Sequence, residues 1–340
     1  MSPRFPFPDD PIGWFCIGAA RALRPGELRT VTLFGRELVW FRTQAGRHGL
    51  FDAFCPHMGG HFGHGGRVCG EQLRCPFHAF LFDPDGACAT TPYGQEAPRA
   101  AQARSWPLHE HAGLVFAWHH PAGEAPTWTL PELPEAGWTD LALHRFDLAS
   151  HPQEISENSV DTGHFAAVHH YAGLEVVSPL EVDGPALRTT YAFQRAGSIF
   201  GLSGTVRFEI AIQVLGLGCS IVDVHTDRLP LHSRQYVLPV STHPGRCTLH
   251  IGMRLERPPR WRDLSPGLFL LPDAIAEPLV GAAMIRLYAH EVAQDLHIWE
   301  NKAYLHPPAL ARGDGPVGRY RAWCRQFYPP ASPEGARAAG

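Results

Sequence analysis

From about residue 27 to residue 120 the chain alternates apolar and polar positions in short runs: LRTVTLFG, RELVWFRT, GLFDAFC, AFLFDPDG and GLVFAWHH. A period of two bounded by turn residues marks half-buried β-strands, and DPDG (83–86) predicts a tight turn between two of them. The proline-rich PAGEAPTWTLPELPEAG (121–137) reads as a connector. PQEISENSVDTGHFAAVHHYAG (152–173) reads as a helix placed just after a strand or turn. Between 186 and 256 the strand period returns in TVRFEIAIQVLG, SIVDVHT, RQYVLPV and TLHIGMRLE, and a helical segment follows at about 281–304. This order predicts an α+β chain. An all-β domain with an N-terminal extension occupies 1–135. A second domain at 136–330 has helices covering one face of an antiparallel sheet, and residues 331–340 form a frayed tail.

Composition narrows the function classes. With 29 Lys+Arg against 33 Asp+Glu, the formal charge of −4 supplies no basic field for nucleic acid. The start, MSPRFPFPDDPIGWFC, has prolines and aspartates where an export signal needs a basic end and an apolar run. The most apolar stretch, 264–285, is interrupted by Pro266, Pro272, Pro278, Asp273 and Glu277, so it predicts a buried loop and helix start, or an apolar lip on a greasy substrate, and no integral membrane span. A cytoplasmic chain is expected, its eight cysteines free thiols or metal ligands and not a disulfide framework. No P-loop or GxGxxG fingerprint stands out, so NAD(P)H is expected to bind a partner.

The densest chemistry lies at 55–78, CPHMGGHFGHGGRVCGEQLRCPFH. Cys55-Pro56-His57 and Cys75-Pro76-Phe77-His78 are near-copies, each giving one thiolate and one imidazole from its own loop. A zinc finger pairs Cys with Cys and His with His. One of each per loop suits instead a two-iron cluster with two Cys on one iron and two His on the other, the Rieske [2Fe–2S] ligand set. Cys69, His61 and His64 read as loop residues. Arg67 and Arg74 beside the loops are solvated arginines or a dock for an acidic ferredoxin.

Such a cluster only relays electrons, so an acceptor is needed. ENSVDTGHFAAVHH (157–170) sets Asp161 and His164 at i, i+3 and His164 and His169 at i, i+5. The histidines meet at one ion only where the helix ends or is distorted between them. Two histidines and a carboxylate make the facial triad of non-haem Fe(II) sites. The carboxylate comes from elsewhere: in the late helix Val292, Asp295 and Trp299 share a face, with Glu291 a rival, and His170 is a rival of His169. His109, His111, His119 and His120 read as surface or strand residues.

Together the two motifs resemble the oxygenase component of Rieske non-haem iron oxygenases, over nearly the whole chain. The family pattern E-N-x-x-D-x2-H-x4-H places the iron histidines on His164 and His169, and QDLHIWENK (294–302) resembles its late-helix segment, which selects Asp295. By the same resemblance Asp161 is the bridge between the cluster histidine His78 and the iron histidine His164 of a neighbouring subunit in a homotrimer, and Asn158 supports the iron. The implied fold is a Rieske domain followed by a helix-grip catalytic domain. GWFCIG (13–18), TPYG (91–94) and RAWCRQFYP (321–329) resemble the branch of 3-ketosteroid 9-alpha-hydroxylases, cholesterol 7-desaturases and bacterial sterol C4-demethylases. That implies a terminal oxygenase using O2 and electrons from NAD(P)H through a ferredoxin or flavin reductase. Its outcome is hydroxylation, desaturation or demethylation of a sterol-like substrate. An oxygenase of aromatic or heterocyclic small molecules, and a Rieske electron-transfer protein without oxygenase activity, are the other readings.

Overall fold

The computed structural model describes residues 4–6, 10–199, 202–227, 232–258, 260–261 and 271–329, with backbone only at 197–199 and 202–203. The first part is built from β1 (Gly13–Ala19), β2 (Leu28–Leu33), β3 (Arg36–Arg42), β4 (His48–Asp52), β5 (Arg67–Cys69), β6 (Gln72–Arg74), β7 (Leu81–Phe82), β8 (Cys88–Thr90), β9 (Leu108–His111) and β10 (Leu114–His119). They form three small antiparallel sheets, β1-β10-β9, β2-β3-β4 and β5-β6-β7-β8. The run LVWF in β3 shows why. Leu38 and Trp40 point into one core with Phe15, Leu50 and Val115, while Val39 and Phe41 point into another with Phe51, Phe62 and Phe82. A strand covered on both faces needs a continuous apolar run, because alternate residues serve different cores. The DPDG turn forms as expected: the Gly86 N–H donates to the Asp83 carbonyl at 2.7 Å with φ +91°, and a Cβ there would strike the Ala103 carbonyl.

The second part contains β11 (Ala142–Leu148), α1 (Pro152–Glu157), α2 (Thr162–Ala167), β12 (Ala172–Asp183), β13 (Ala186–Ile199), β14 (Leu202–Leu215), β15 (Cys219–Thr226), β16 (Ser233–His243), β17 (Arg246–Leu255), α3 (Asp273–Asn301) and α4 (Val317–Cys324). Its seven-stranded antiparallel sheet runs β11-β17-β16-β15-β14-β13-β12. Both faces are covered. From β16, Tyr236 and Leu238 pack with Trp14, Phe116 and Trp118 of the first part, whereas Val237 packs on the α3 side with Val292 and Trp299. α3 buries Ala276, Val280, Ile285, Ala289, Val292, Asp295 and Trp299, a stripe at helical spacing with one carboxylate in it.

This is the mixed architecture expected, with two differences of detail. The helix read at 152–173 is two short helices with a turn between them, because Asp161 starts a new helix as N-cap, accepting from the His164 N–H at 3.2 Å. The late helix starts at Asp273 and runs through Pro278, which falls in its second turn, so the proline breaks the apolar stretch less than the sequence suggests. Among the described residues no helix is long and apolar enough to cross a membrane. His109 and His111 lie on β9 and His119 on β10 as expected, but His111 and His119 are buried, not surface residues.

Candidate metal centres and substrate cavity

Two loops meet at the end of the β5–β8 sheet. The first folds back through the Cys55 N–H donating to Gly60 O and the Gly59 N–H donating to Cys55 O, both at 2.9 Å. The second closes through the Cys75 N–H donating to Phe80 O at 2.8 Å, with Ala79 at φ 59° turning the chain just after His78. These turns bring the Cys55 and Cys75 thiols close enough to influence one another and set the rings of His57 and His78 4.7 Å apart at 76°. His57 stacks on Phe80 at 4.2 Å. Gly60 leaves room for this arrangement, since a Cβ there would lie 3.1 Å from the Cys75 sulfur.

The four residues fit a Rieske cluster on two physical grounds. Burial pushes the Cys55 thiol up to about 12, and Cys75 beside it adds to the rise, so Cys55 ionises readily only around a cation. The Nδ1 of His78 is buried and meets no hydrogen-bond partner among the described residues, as a ring nitrogen facing a metal would be. The other three candidates lie outside the cage. Cys69 is exposed on β5, His61 Nδ1 accepts from the Gly63 N–H at 3.0 Å, and His64 packs on His61 in the open.

Ninety residues on, α2 ends at Ala167. The Tyr171 N–H donates to Phe165 O at 3.0 Å, and His170 takes φ 58° and points into solvent. That turn is the interruption the i, i+5 spacing demanded. It swings His169 back beside His164, with ring centroids 5.2 Å apart. Asp295, 6% exposed on α3, completes the group: one ligand atom each from His164, His169 and Asp295 lies within 4.8 Å of the others. Glu291 is held apart, accepting from Arg195 at 2.7 Å and from the Tyr171 hydroxyl at 3.4 Å.

The tautomers are set locally. His164 Nδ1 donates to the Asp161 carbonyl, and His169 Nδ1 donates to Gln294 Oε1 at 3.2 Å, which leaves both Nε2 atoms for a metal. His169 Nε2 then lies 3.3 Å from Asp295 Oδ2, a lone pair facing a carboxylate unless a positive charge stands between them. Burial lowers the His169 imidazole, but Asp295 outweighs it and holds the group above its ordinary value; burial dominates at His164 and lowers it. This donor set fits a divalent iron. Asn158 accepts from Trp299 Nε1 at 3.3 Å beside the site. Within the chain Asp161 caps α2, and among the described residues it makes no bond to His78.

Sequence reading missed Gln294, Arg195 and the ion network under α1. Glu154, wholly buried, meets Lys302 at 2.9 Å, and Glu157 accepts from Arg321 at 2.6 and 2.8 Å. The places of Glu154 and Glu157 in PQEISENSVD, of Lys302 in ENK and of Arg321 in RAWCRQFYP were legible; that they meet was not.

A cavity of about 250 Å³ opens from the triad between α3 and the sheet. Its helix wall runs from Met284 to Trp299, about 22 Å of helix. Its floor uses alternate positions of adjacent strands, such as Ile210 and Ile212 on β14 and Val222 and Val224 on β15. The SIFGLSG stretch (198–204) lies largely outside the residues with described side chains, as do residues 264–270.

A model of the Rieske [2Fe-2S] domain matches residues 13–107, and a model of the 3-ketosteroid 9alpha-hydroxylase C-terminal domain matches residues 117–328. A probable 3-ketosteroid-9-alpha-monooxygenase oxygenase component of Rhodococcus rhodochrous is 31% identical over 93% of this chain and 79% of its own length. A cholesterol 7-desaturase of Ciona intestinalis is 30% identical over 95% of this chain and 70% of its own length. Apo dicamba monooxygenase has the same fold, with TM-score 0.67 at 17% identity over 98% of this chain and 99% of its own. The chain belongs to the Rieske non-haem iron oxygenases, in the 3-ketosteroid 9α-hydroxylase family. It is a terminal oxygenase that uses O2 and reductase-supplied electrons to oxidise a C–H bond, with a Rieske [2Fe–2S] cluster and a mononuclear non-haem iron as cofactors. The description "oxygenase component" implies a separate reductase or ferredoxin partner.

Proposed function

We propose that this oxygenase acts on a steroid or sterol-like substrate. The observation that carries the reading is the mainly apolar cavity beside His164, His169 and Asp295, walled along about 22 Å of α3, whose lining suits a long apolar molecule. The names of the relatives point the same way. In this reading Cys55, Cys75, His57 and His78 hold the cluster, and His164, His169 and Asp295 hold the iron. When bound, the cluster stores electrons one at a time and the iron activates O2 against a C–H bond.

The chain's own residues do the rest. Apolar side chains of α3 and the sheet exclude water and align the substrate along α3. Asp161 and Gln294 keep the Nδ1 protons of the two iron histidines in place, by backbone and side chain respectively. Asn158 is held in the cavity wall by the Trp299 Nε1–H. Residues 1–135 carry electrons and 136–330 carry the chemistry. Met58 and Phe77, 64% and 59% exposed beside the cluster histidines, form an apolar rim that suits docking against another protein surface, either a neighbouring copy in a homotrimer or the electron donor. In the trimer, the Asp161 carboxylate of one copy bridges to His78 of the next. The test is His164→Ala: the Rieske visible spectrum stays while mononuclear iron and substrate oxidation are lost. Full oxidation by that variant contradicts the assignment.

A further inference from the structure

Near the triad several polar side chains of the cavity wall are paired: Asn158 with Trp299, Arg195 and Tyr171 with Glu291, and His169 with Gln294. On the floor, Ser233 and Gln235 of β16 also line the cavity, yet neither the hydroxyl nor the amide has a hydrogen-bond partner among the described residues. Gln235 pairs in register with Val222 on one side and Met253 on the other, two apolar residues that also line the cavity. Gln235 is half-buried and its amide lines the cavity, so an apolar ligand that drives water out would leave it unpaired at a cost, whereas a ligand with a polar group there would meet it.

The register fixes which end of the cavity this is. Ser233 pairs with Leu255, and two residues further Arg257 bonds Glu277 in the first turns of α3 at 2.9 Å. At the other end Cys247 pairs with Ser241 and Leu148, and the Ala149 N–H next to it donates to Glu300 near the end of α3. α3 therefore lies with Asp295 toward the Ser241 end of β16 and with Met284 toward the Ser233 end. Ser233 and Gln235 sit away from the triad, and Met284 is eleven residues, about 16 Å of helix, from Asp295.

We propose that Gln235, supported by Ser233, recognises the oxygen substituent, a ring ketone or hydroxyl, at the end of a steroid-like substrate remote from the oxidised carbon. The amide N–H donates to a ketone; its carbonyl accepts from a hydroxyl. Anchoring that end sets how far the rigid ring system reaches and so which C–H bond faces the triad. Gln235 is a specificity residue, not a catalytic one. The inference rests on the substrate class proposed above.

The test uses the full chain with its reductase and two matched steroids, one with a ring ketone and one lacking that oxygen. Wild type is expected to favour the ketone roughly tenfold in KM and dissociation constant, the worth of one well-placed hydrogen bond in a dry site. Gln235→Leu, close in size, removes the preference by bringing the ketone steroid to the level of the oxygen-free one, and broadens the position at which the ketone steroid is oxidised. Gln235→Glu keeps the size but loses the donor, so it weakens the ketone and spares a hydroxylated analogue. An unchanged preference in both variants, with wild-type Rieske absorption and melting temperature showing them folded, overturns the inference alone. Absence of binding or turnover of any steroid by the wild type overturns the substrate class and the inference with it.

Discussion

Asp161 has two separable jobs, and the choice of replacement tells them apart. Its side chain caps α2 and its carbonyl orients His164, so Asp161→Ala loses a helix cap, about 1 kcal/mol, as well as any bridge between the metals. Asp161→Asn keeps the cap. If the carboxylate couples the two metals, the Asn variant retains both, shows a normal melting temperature, and loses substrate-dependent electron transfer in stopped-flow by a hundredfold or more. Normal transfer rates in it remove that role. At the cluster, Cys69→Ser leaves the Rieske visible absorption intact and Cys75→Ser abolishes it. Most of this scale was legible in the residues, since CPH and CPFH each carry their own pair of donors. What was hidden is the partner of each ring nitrogen. No spacing rule shows that Gln294 would reach His169, because it lies 125 positions away and meets it only through the packing of α3.

At the scale of elements, α1, α3 and α4 are tied together beneath the iron site by charge. Burial raises the Glu154 carboxyl, Lys302 opposes that rise, and the Lys302 amine is raised in turn because its two carboxylate partners outweigh burial. Lys302→Met strands Glu154 without its cation, and a fall of about 3–5 kcal/mol in urea stability is expected. A change below 1 kcal/mol would show that the pair matters little. α4 adds neutral contacts, with the Tyr320 hydroxyl donating to Gln153 O at 2.7 Å and Trp323 Nε1 to Gly184 O at 2.9 Å. Strand and helix periods were readable from apolar spacing. The break between α1 and α2 was not, because apolar spacing alone passes over it; the signal lay in the weak helix formers Asn158, Ser159, Val160 and Asp161, of which Asp161 acts as the cap.

For the whole molecule, two buried histidines predict a pH response. Burial lowers His111 and His119 to about 4, against about 6.5 when unfolded, so unfolding takes up protons between those values. Since both groups are depressed, their contribution is full above pH 6.5 and is lost as pH falls toward 4. The melting temperature should therefore drop across that window, and His119→Gln should flatten the slope; a flat curve in the parent protein contradicts the assignment. Assembly is tested by complementation. Chains carrying Cys75→Ser and chains carrying His164→Ala are each inactive, and coexpression restores oxidation if electrons cross between copies in a trimer. If the mixture stays inactive while mixed oligomers form, the crossing is wrong. The sequence pointed to both metal sites but not to how they would meet, because in the proposed trimer that contact would lie between chains.

The central claim, that the cavity ending at His164, His169 and Asp295 directs O2 chemistry onto a steroid-like substrate, is tested most directly by turnover with product mass. Purified protein, reductase and NADH are incubated with sterols, 3-ketosteroids and substituted aromatics. The account predicts NADH consumption coupled to the steroids alone, with products shifted by +16 or −2 mass units or lacking a methyl carbon. Coupled oxidation of the aromatics with the steroids returned unchanged would contradict it.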